Sequence, residues 1–401
     1  MKTRRFFSLF FLLVLMASLV LTPASAADEE SGVTPPELHC EAMLLVDANT
    51  GRMVYGKNEH EQMYPASLTK IMTALLVLEA VDSGQLSMDQ PITVTESALE
   101  GLAADGSPAG IRAGEVLTVE QLLQCMLIVS ANEACNILAE QVSGSVDAFV
   151  DAMNAKAEAL GCEGTHFVNA TGLHDSQHYT TAWDLYLITE EAMKHEDFMR
   201  ICDTARATIP ATNLSEERNL YTTNYLIDTW RSLGYIYSNA HGIKTGSTDA
   251  AGYCLSATAE RDGMELIAVV LKAKTSEQRF ESAKSLLNFG FANYTLTDVY
   301  PGQALPPVDV LLGEQDTVQP VLAQSSRILV DKAQLNDVTS ELRLCENVEA
   351  PVEQGQKLGE MVISVGGQEQ QTIPIVADRA VARLTLPGIF SRFLKTLFMA
   401  E

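Results

Sequence analysis

An α+β fold is predicted for this 401-residue chain by three features. Strand-like runs bracket a long helical stretch within the first 295 residues. Beyond that point only short strands recur, separated by Gly, Pro, Asn and Asp turns, and the chain closes on a one-sided apolar helix. Hydrophobic residues make up 47%, which excludes global disorder. The formal charge is −25, from 27 Lys+Arg against 52 Asp+Glu. That balance excludes nucleic acid as a partner, because phosphate contacts need a basic face.

The elements follow in order. Lys2, Arg4 and Arg5 precede an apolar run over 6–21, and Ala24-Ser25-Ala26 has the small-residue cleavage pattern of a secretory signal. The run is short of the roughly 20 residues that a membrane span needs, so 1–26 is expected to be removed on export. No Cys follows the cleavage point, so lipid attachment there is not expected. Cys40, Cys125, Cys135, Cys162, Cys202, Cys254 and Cys345 are odd in number and irregularly spaced, so they do not form a disulfide framework. At most three bridges fit, and fewer are expected.

Residues 42–47 form an apolar strand, Asn49-Thr50-Gly51 turns it, and 52–56 return as a hairpin. From Pro65 the period changes: Leu68, Ile71, Met72, Leu75, Leu76 and Leu78 predict a helix starting near Ser67. Helices are expected over 118–128, 133–142, 146–160 and 182–194. Strands follow at 243–247, 253–259 and 265–272, then an amphipathic helix over 277–294. Strands at both ends imply one antiparallel sheet completed by the two ends of a domain spanning 27–295. Short strands at 308–312, 327–330, 341–345, 361–365 and 372–376 predict a small all-β domain over 296–380.

The final stretch, 381–401, is different again. Ile389, Phe390, Phe393, Leu394, Leu397 and Phe398 fall on one helix face, with Ser391, Arg392, Lys395 and Thr396 opposite. It is too short to span a bilayer, and its pattern suits lying in a membrane interface.

Three motifs carry chemistry. Ser67-Leu68-Thr69-Lys70 is S-x-x-K, Ser130-Ala131-Asn132 is S-x-N and Lys244-Thr245-Gly246 is K-T-G, each occurring once and in that order. A serine hydroxyl needs a base to become a nucleophile, and Lys70, one helical turn on, shares its face. A helix start at Ser67 offers backbone N–H groups to an oxyanion. Lys70 serves as a base only when neutral, and partial burial with Lys244 nearby lowers its pKa. Ser130 can relay a proton, and Asn132 offers a donor and an acceptor to a peptide amide. Lys244 begins a strand whose Thr245 hydroxyl and free edge can bind a carboxylate-terminated substrate by strand addition.

At these residues the chain resembles the low-molecular-mass penicillin-binding proteins, the serine D-alanyl-D-alanine carboxypeptidases. The matching stretches are Pro65-Ala66-Ser67-Leu68-Thr69-Lys70-Ile71-Met72-Thr73-Ala74-Leu75, Ser130-Ala131-Asn132-Glu133-Ala134 and Gly242-Ile243-Lys244-Thr245-Gly246. Asn169 to Leu173, and His178-Tyr179-Thr180-Thr181-Ala182 with Asp184, support them. The resemblance implies a β-lactamase/transpeptidase-like catalytic domain, then the family's β-rich domain and anchoring helix. It implies that Ser67 attacks the penultimate D-alanine of a peptidoglycan stem peptide, with Lys70 as base and Ser130 and Asn132 in the relay. Lys244 and Thr245, with Gly246 and Ser247 beside them, hold the terminal carboxylate. The N–H groups of Ser67 and Ser247 form the oxyanion hole, and β-lactams acylate the same serine. The implied setting is the outer face of the bacterial cytoplasmic membrane.

Two alternatives stay open: a serine β-lactamase, although no E-x-x-L-N segment supplies a deacylating base after Ser130, and a penicillin-binding sensor without turnover. His174 and His178 are four apart with His166 nearby, but the stretch reads as loop and lacks an H-E-x-x-H pattern. With no phosphate-cradling glycine loop either, no metal or cofactor is expected. The segment 228–240, with Trp230, Tyr235 and Tyr237, is longer and more aromatic than the resemblance leads one to expect, and reads as a surface insertion.

Overall fold

The computed structural model describes residues 38–102, 107–231, 233–300 and 304–397; the expected export signal over 1–26 and Phe398 lie outside them. A five-stranded antiparallel sheet organises the first part. Its strands are β1 (Ala42–Asp47), β2 (Arg52–Lys57), β3 (Lys244–Thr248), β4 (Gly252–Arg261) and β5 (Met264–Ala273), in the order β2-β1-β5-β4-β3. The amino-terminal hairpin thus pairs with the last strand, Ala42 opposite Leu271 and Asp47 opposite Leu266. The two ends of the domain do complete one sheet.

Both faces of that sheet are covered, which explains why β1 is apolar at every position but its last and buried throughout. Side chains alternate across a strand. Ala42, Leu44 and Val46 face the helical layer with Ile267, Val269 and Leu271. Met43 and Leu45 face the opposite core with Leu266, Ala268 and Val270. The helical layer comprises α1 (Thr69–Asp82), α2 (Val119–Ile128), α3 (Asn132–Ser143), α4 (Val146–Ala159), α5 (Ala182–Met193) and α6 (Glu196–Cys202). The opposite face is covered by α7 (Ser276–Asn293), whose Phe280, Leu286 and Leu287 are buried.

Helix starts follow their capping residues. Thr118 and Gln121 form a reciprocal capping box on α2. The Thr181 and Thr275 hydroxyls accept from Asp184 N–H and Gln278 N–H at the starts of α5 and α7.

Four departures from expectation have local causes. The first turn of the long helix is 3₁₀ over Ala66–Leu68, because Ala66 sits at φ +48° and cannot extend an α-helix. α6 has only seven residues, too few for a period to show. The hairpin Arg206–Ile209 with Arg218–Tyr221, and the pair Pro91–Thr93 with Val116–Thr118, are also short for pattern reading. Tyr294 does not end α7; it opens a strand, Tyr294–Asp298, that pairs with Arg327–Asp331.

Beyond it the chain is all-β apart from a short 3₁₀ turn, Lys332–Asp337, until its last helix. One sheet orders Pro320–Leu322, Gln368–Ala377, Lys357–Val365 and Val338–Leu344; another sets Val308–Leu311 between Thr317–Val318 and Asn347–Glu349. Met361, Ile363, Ile373 and Ile375 form its core with Ile328 and Val330. The last helix, α8 (Leu386–Leu397), leaves Leu386, Phe390, Phe393 and Leu397 more than half exposed. All seven cysteines are free, six of them buried.

Candidate active site

The three motifs arrive from three elements and converge: Ser67, Asn132 and Ser247 line one cleft, while Lys70, Ser130, Lys244 and Thr245 are buried and do not line it. Ser67 lies in the 3₁₀ turn before α1 and Lys70 in the first turn of α1. Ser130 sits between α2 and α3, Asn132 opens α3, and Lys244-Thr245-Gly246-Ser247 runs along β3, the edge strand. The cleft is about 450 Å³ and is lined by Ser67, Ser107, Asn132, Gly172, His174 and Ser247 among others. A larger hollow of about 790 Å³ lies between Arg52 and Arg327 and holds none of the motif residues. Size therefore does not mark the site; the convergence of polar groups does.

Lys70 is fully buried, and its Nζ lies 2.9 Å from Ser67 Oγ, 2.8 Å from Asn132 Oδ1 and 2.6 Å from the Thr171 carbonyl. Three acceptors satisfy an ammonium, yet burial still pulls its pKa below that of an ordinary lysine, with Cys135 and Glu133 opposing. Partial burial was expected and complete burial is found. The mutual effect of the two cations falls on Lys244. Burial first, and then the charge on Lys70, lower Lys244 well below its usual value. Lys244 Nζ donates to the Thr245 carbonyl at 3.0 Å.

Ser130 is held at φ +66°, and its hydroxyl is buried without a hydrogen-bond partner. Such a group is costly in a finished core, and a buried hydroxyl that no protein group engages suits a proton-transfer role. Thr245 Oγ1 lies 2.6 Å from Thr223 Oγ1, on the loop leaving the 218–221 strand. Behind β3, Arg279 donates to the Gly246 carbonyl at 3.2 Å and stacks on Phe280, holding the edge strand from its buried side. A Cβ on Gly246 would stand 2.9 Å from the Pro65 carbonyl oxygen and 3.1 Å from Ser67 N, so only glycine lets β3 lie this close to the serine turn.

The loop over 166–180 braces the serine turn from the other side. Thr171 O accepts from Lys70, and Ala170 O accepts from Thr73 Oγ1 at 2.7 Å. Gly172, at φ +84°, packs where a Cβ would stand 1.9 Å from Ala66 O. The Asp184 carboxylate on α5 fixes the chain just before this loop by accepting from Gly164 N–H and the Thr165 hydroxyl. His178 is buried against Thr69 and Val168, so it serves this scaffold.

The rim residue Ser107 accepts from Asn132 N–H at 3.0 Å. Beyond it, one oxygen of Glu133 accepts from the N–H groups of Ala109, Gly110 and Ile111, and Arg218 donates to the carbonyls of Ala109 and Gly110. None of these supports was expected from spacing. The one available signal was a charged residue, Glu133, directly after Asn132.

In the segment 228–240 the aromatics divide. Tyr235 packs against Phe280, and Tyr237 donates to Asn288 on α7, so both belong to the core side. Trp230 is 77% exposed.

Comparison with known proteins agrees over nearly the whole chain. Residues 29–275 match the family described as D-alanyl-D-alanine carboxypeptidase, peptidase S11. Residues 294–383 match the penicillin-binding protein 5 C-terminal domain. The D-alanyl-D-alanine carboxypeptidase DacF of Bacillus subtilis is 33% identical over 91% of this chain and 92% of its own. DacA of Haemophilus influenzae is 30% identical over 86% of each. Among solved structures, penicillin-binding protein 5 from Haemophilus influenzae superposes with a TM-score of 0.78 at 29% identity, covering 88% of this chain and all of that one. Penicillin-binding protein D2 from Listeria monocytogenes, solved in an ampicillin-bound form, covers 64% of this chain and 99% of its own, at 32% identity and a TM-score of 0.54.

Proposed function

The chain belongs to the D-alanyl-D-alanine carboxypeptidase family of serine peptidases, and from that premise we propose that Ser67 is its nucleophile and Lys70 its general base. The observation that carries the reading is the 2.9 Å approach of a fully buried Lys70 Nζ to Ser67 Oγ. Burial favours the neutral amine, which takes the Ser67 proton as Oγ attacks the carbonyl of the penultimate D-alanine. The N–H groups of Ser67 and Ser247 receive the oxyanion. Ser130, with its unsatisfied hydroxyl, passes the proton to the amine of the departing D-alanine. Asn132 orients the peptide, while Lys244 and Thr245, on the strand that Gly246 lets close in, bind the terminal carboxylate. Water then hydrolyses the ester on Ser67.

The substrates are peptidoglycan stem peptides ending in D-Ala-D-Ala, and β-lactams acylate the same serine. The protein works outside the cytoplasm, after export directed by residues 1–26 and with 27–295 as its catalytic domain. No helix among the described residues is long and apolar enough to cross a membrane. The exposed apolar side chains of α8 suit peripheral attachment to the outer face of the cytoplasmic membrane, with 296–380 as the spacer.

The test is incubation of the purified protein with a peptide ending in D-Ala-D-Ala and, separately, with penicillin. Free D-alanine and a long-lived adduct on Ser67, both lost in Ser67→Ala, are expected. Rapid penicillin turnover identifies a β-lactamase instead, and acylation without D-alanine release identifies a sensor.

A further inference from the structure

The His178 imidazole is 2% exposed and has both nitrogens engaged. Val168 N–H donates to Nδ1 at 3.1 Å, so the ring proton resides on Nε2, which donates to Thr69 Oγ1 at 2.8 Å. Thr69 Oγ1 donates in turn to the Ala66 carbonyl oxygen at 2.9 Å. The relay therefore ends on the peptide that joins Ala66 to Ser67.

That peptide is planar and trans, so its C=O and N–H point in opposite directions. The packing shows which way each faces. A Cβ on Gly172 would stand 1.9 Å from Ala66 O, whereas one on Gly246 would stand 3.1 Å from Ser67 N. The carbonyl thus faces the 166–180 loop, and the N–H faces β3 and the cleft. Ala66 is held at φ +48°, a conformation that costs a non-glycine residue about 1 kcal/mol or more and persists only where its surroundings enforce it.

We propose that His178 is a positioning residue for acylation: through Thr69 it clamps the Ala66 carbonyl and so aims the Ser67 N–H at the oxyanion. The inference rests on Ser67 being the nucleophile. His178 itself does not line the cleft. Burial brings its pKa down to about 4, with His166, His174 and Lys70 acting the same way and Asp175 opposing, so the donor stays on Nε2 at neutral pH.

The test uses the full chain with His178→Gln, which keeps a donor and an acceptor, His178→Phe, which keeps only a ring, Thr69→Val and Thr69→Ser. The readouts are kcat and KM on a D-Ala-D-Ala peptide and the infrared carbonyl stretch of the penicillin-derived ester. Removing a whole oxyanion donor costs about 10²–10³ in rate, so misaiming one is expected to lower kcat about 10- to 100-fold in His178→Phe and Thr69→Val, with KM nearly unchanged. Their double variant is expected to be no worse than the weaker single, because both break one relay. The ester stretch should move to higher frequency, while His178→Gln and Thr69→Ser keep most of the activity.

An ester stretch at the wild-type frequency in Thr69→Val, or a loss that lies in KM, overturns the proposal. So does His178→Gln falling as far as His178→Phe. Should His178→Phe not fold, the Thr69→Val and Thr69→Ser pair decides alone. Acylation persisting in Ser67→Ala overturns the nucleophile instead.

Discussion

Lys70 and Ser67 are joined by a 2.9 Å contact between Nζ and Oγ, closed off from solvent on the lysine side. An amine in that position is a base only in its neutral form, and burial is what makes the neutral form accessible. The rate of β-lactam acylation is therefore expected to rise with pH through a lysine midpoint below the ordinary 10.5 and to fall as Lys70 protonates. Lys70→Leu should lower acylation by about 10²–10⁴, the usual contribution of a positioned base. A stopped-flow pH profile checks both; a midpoint at or above 10.5 contradicts the assignment.

Gly172 is the tightest contact behind that pair. Gly172→Ala introduces a Cβ where 1.9 Å separates it from Ala66 O and 2.9 Å from Thr69 Oγ1, at a φ of +84°. The backbone oxygen cannot swing away as a side chain does, so the 166–180 loop must retreat and carry the Thr171 carbonyl off Lys70. Activity should fall by more than tenfold, and stability by more than the roughly 1–3 kcal/mol that left-handed alanine strain alone costs, because the overlap adds to it. Turnover with parallel thermal unfolding checks this.

The rim depends on a different pair. Arg218 grips Glu115 with two nitrogens, at 2.6 and 2.8 Å, and the Glu115 side chain has no exposed surface. Removing one partner leaves the other charge buried, so Arg218→Ala should destabilise by about 3–5 kcal/mol. Exchanging both residues for apolar ones should cost less. Burial raises the Glu115 pKa, but its bonds to Arg218 and Thr212 outweigh that and leave it lowered. Its contribution is thus present above the ordinary value of 4.5 and lost as pH falls through the lowered one. Denaturant unfolding of the single and double variants measures all three effects.

The contrast between these pairs explains what the sequence disclosed. Ser67 and Lys70 are three apart, Ser130 and Asn132 two apart, and Lys244 to Ser247 run along one strand, so local spacing reports each motif. The α+β class followed for the same reason: the short continuous apolar run of β1 and period 3.6 in the helices are short-range signals. The groups that hold the motifs in place come from far along the chain. Thr171 lies 101 residues from Lys70, His178 lies 109 from Thr69, and Arg218 lies 103 from Glu115. No periodicity links such partners. The Ala66 carbonyl and the Thr171 carbonyl are backbone atoms, which residue identity does not report at all.

His178 also sets a limit on stability in acid. Its pKa falls from 6.5 in the unfolded chain to about 4 when buried, mainly through desolvation. Between those values the unfolded state binds the extra proton, so stability declines as pH drops from 6.5 towards 4. The full effect below that window is about 3 kcal/mol. His178→Gln carries no proton and should show a flatter pH dependence of unfolding free energy across that range. Equal slopes in the two proteins would remove His178 as the cause.

The final helix is expected to part attachment from catalysis. Phe390 and Phe393 are 63% and 60% exposed, with Ile389 and Leu397 beside them, and no other element covers this apolar surface among the described residues. Burying such side chains in the interface drives binding, and an introduced charge opposes it. Phe390→Asp with Phe393→Asp should therefore abolish cosedimentation with phospholipid vesicles and leave D-alanine release from a soluble peptide unchanged, because α8 contributes no residue to the cleft. Arg392 pairs with Asp316 at 2.6 Å, so anionic headgroups compete with that carboxylate for the same guanidinium. Asp316→Asn should then strengthen binding to anionic vesicles more than to neutral ones. Vesicle binding that survives the double Asp substitution rules out α8 as the anchor.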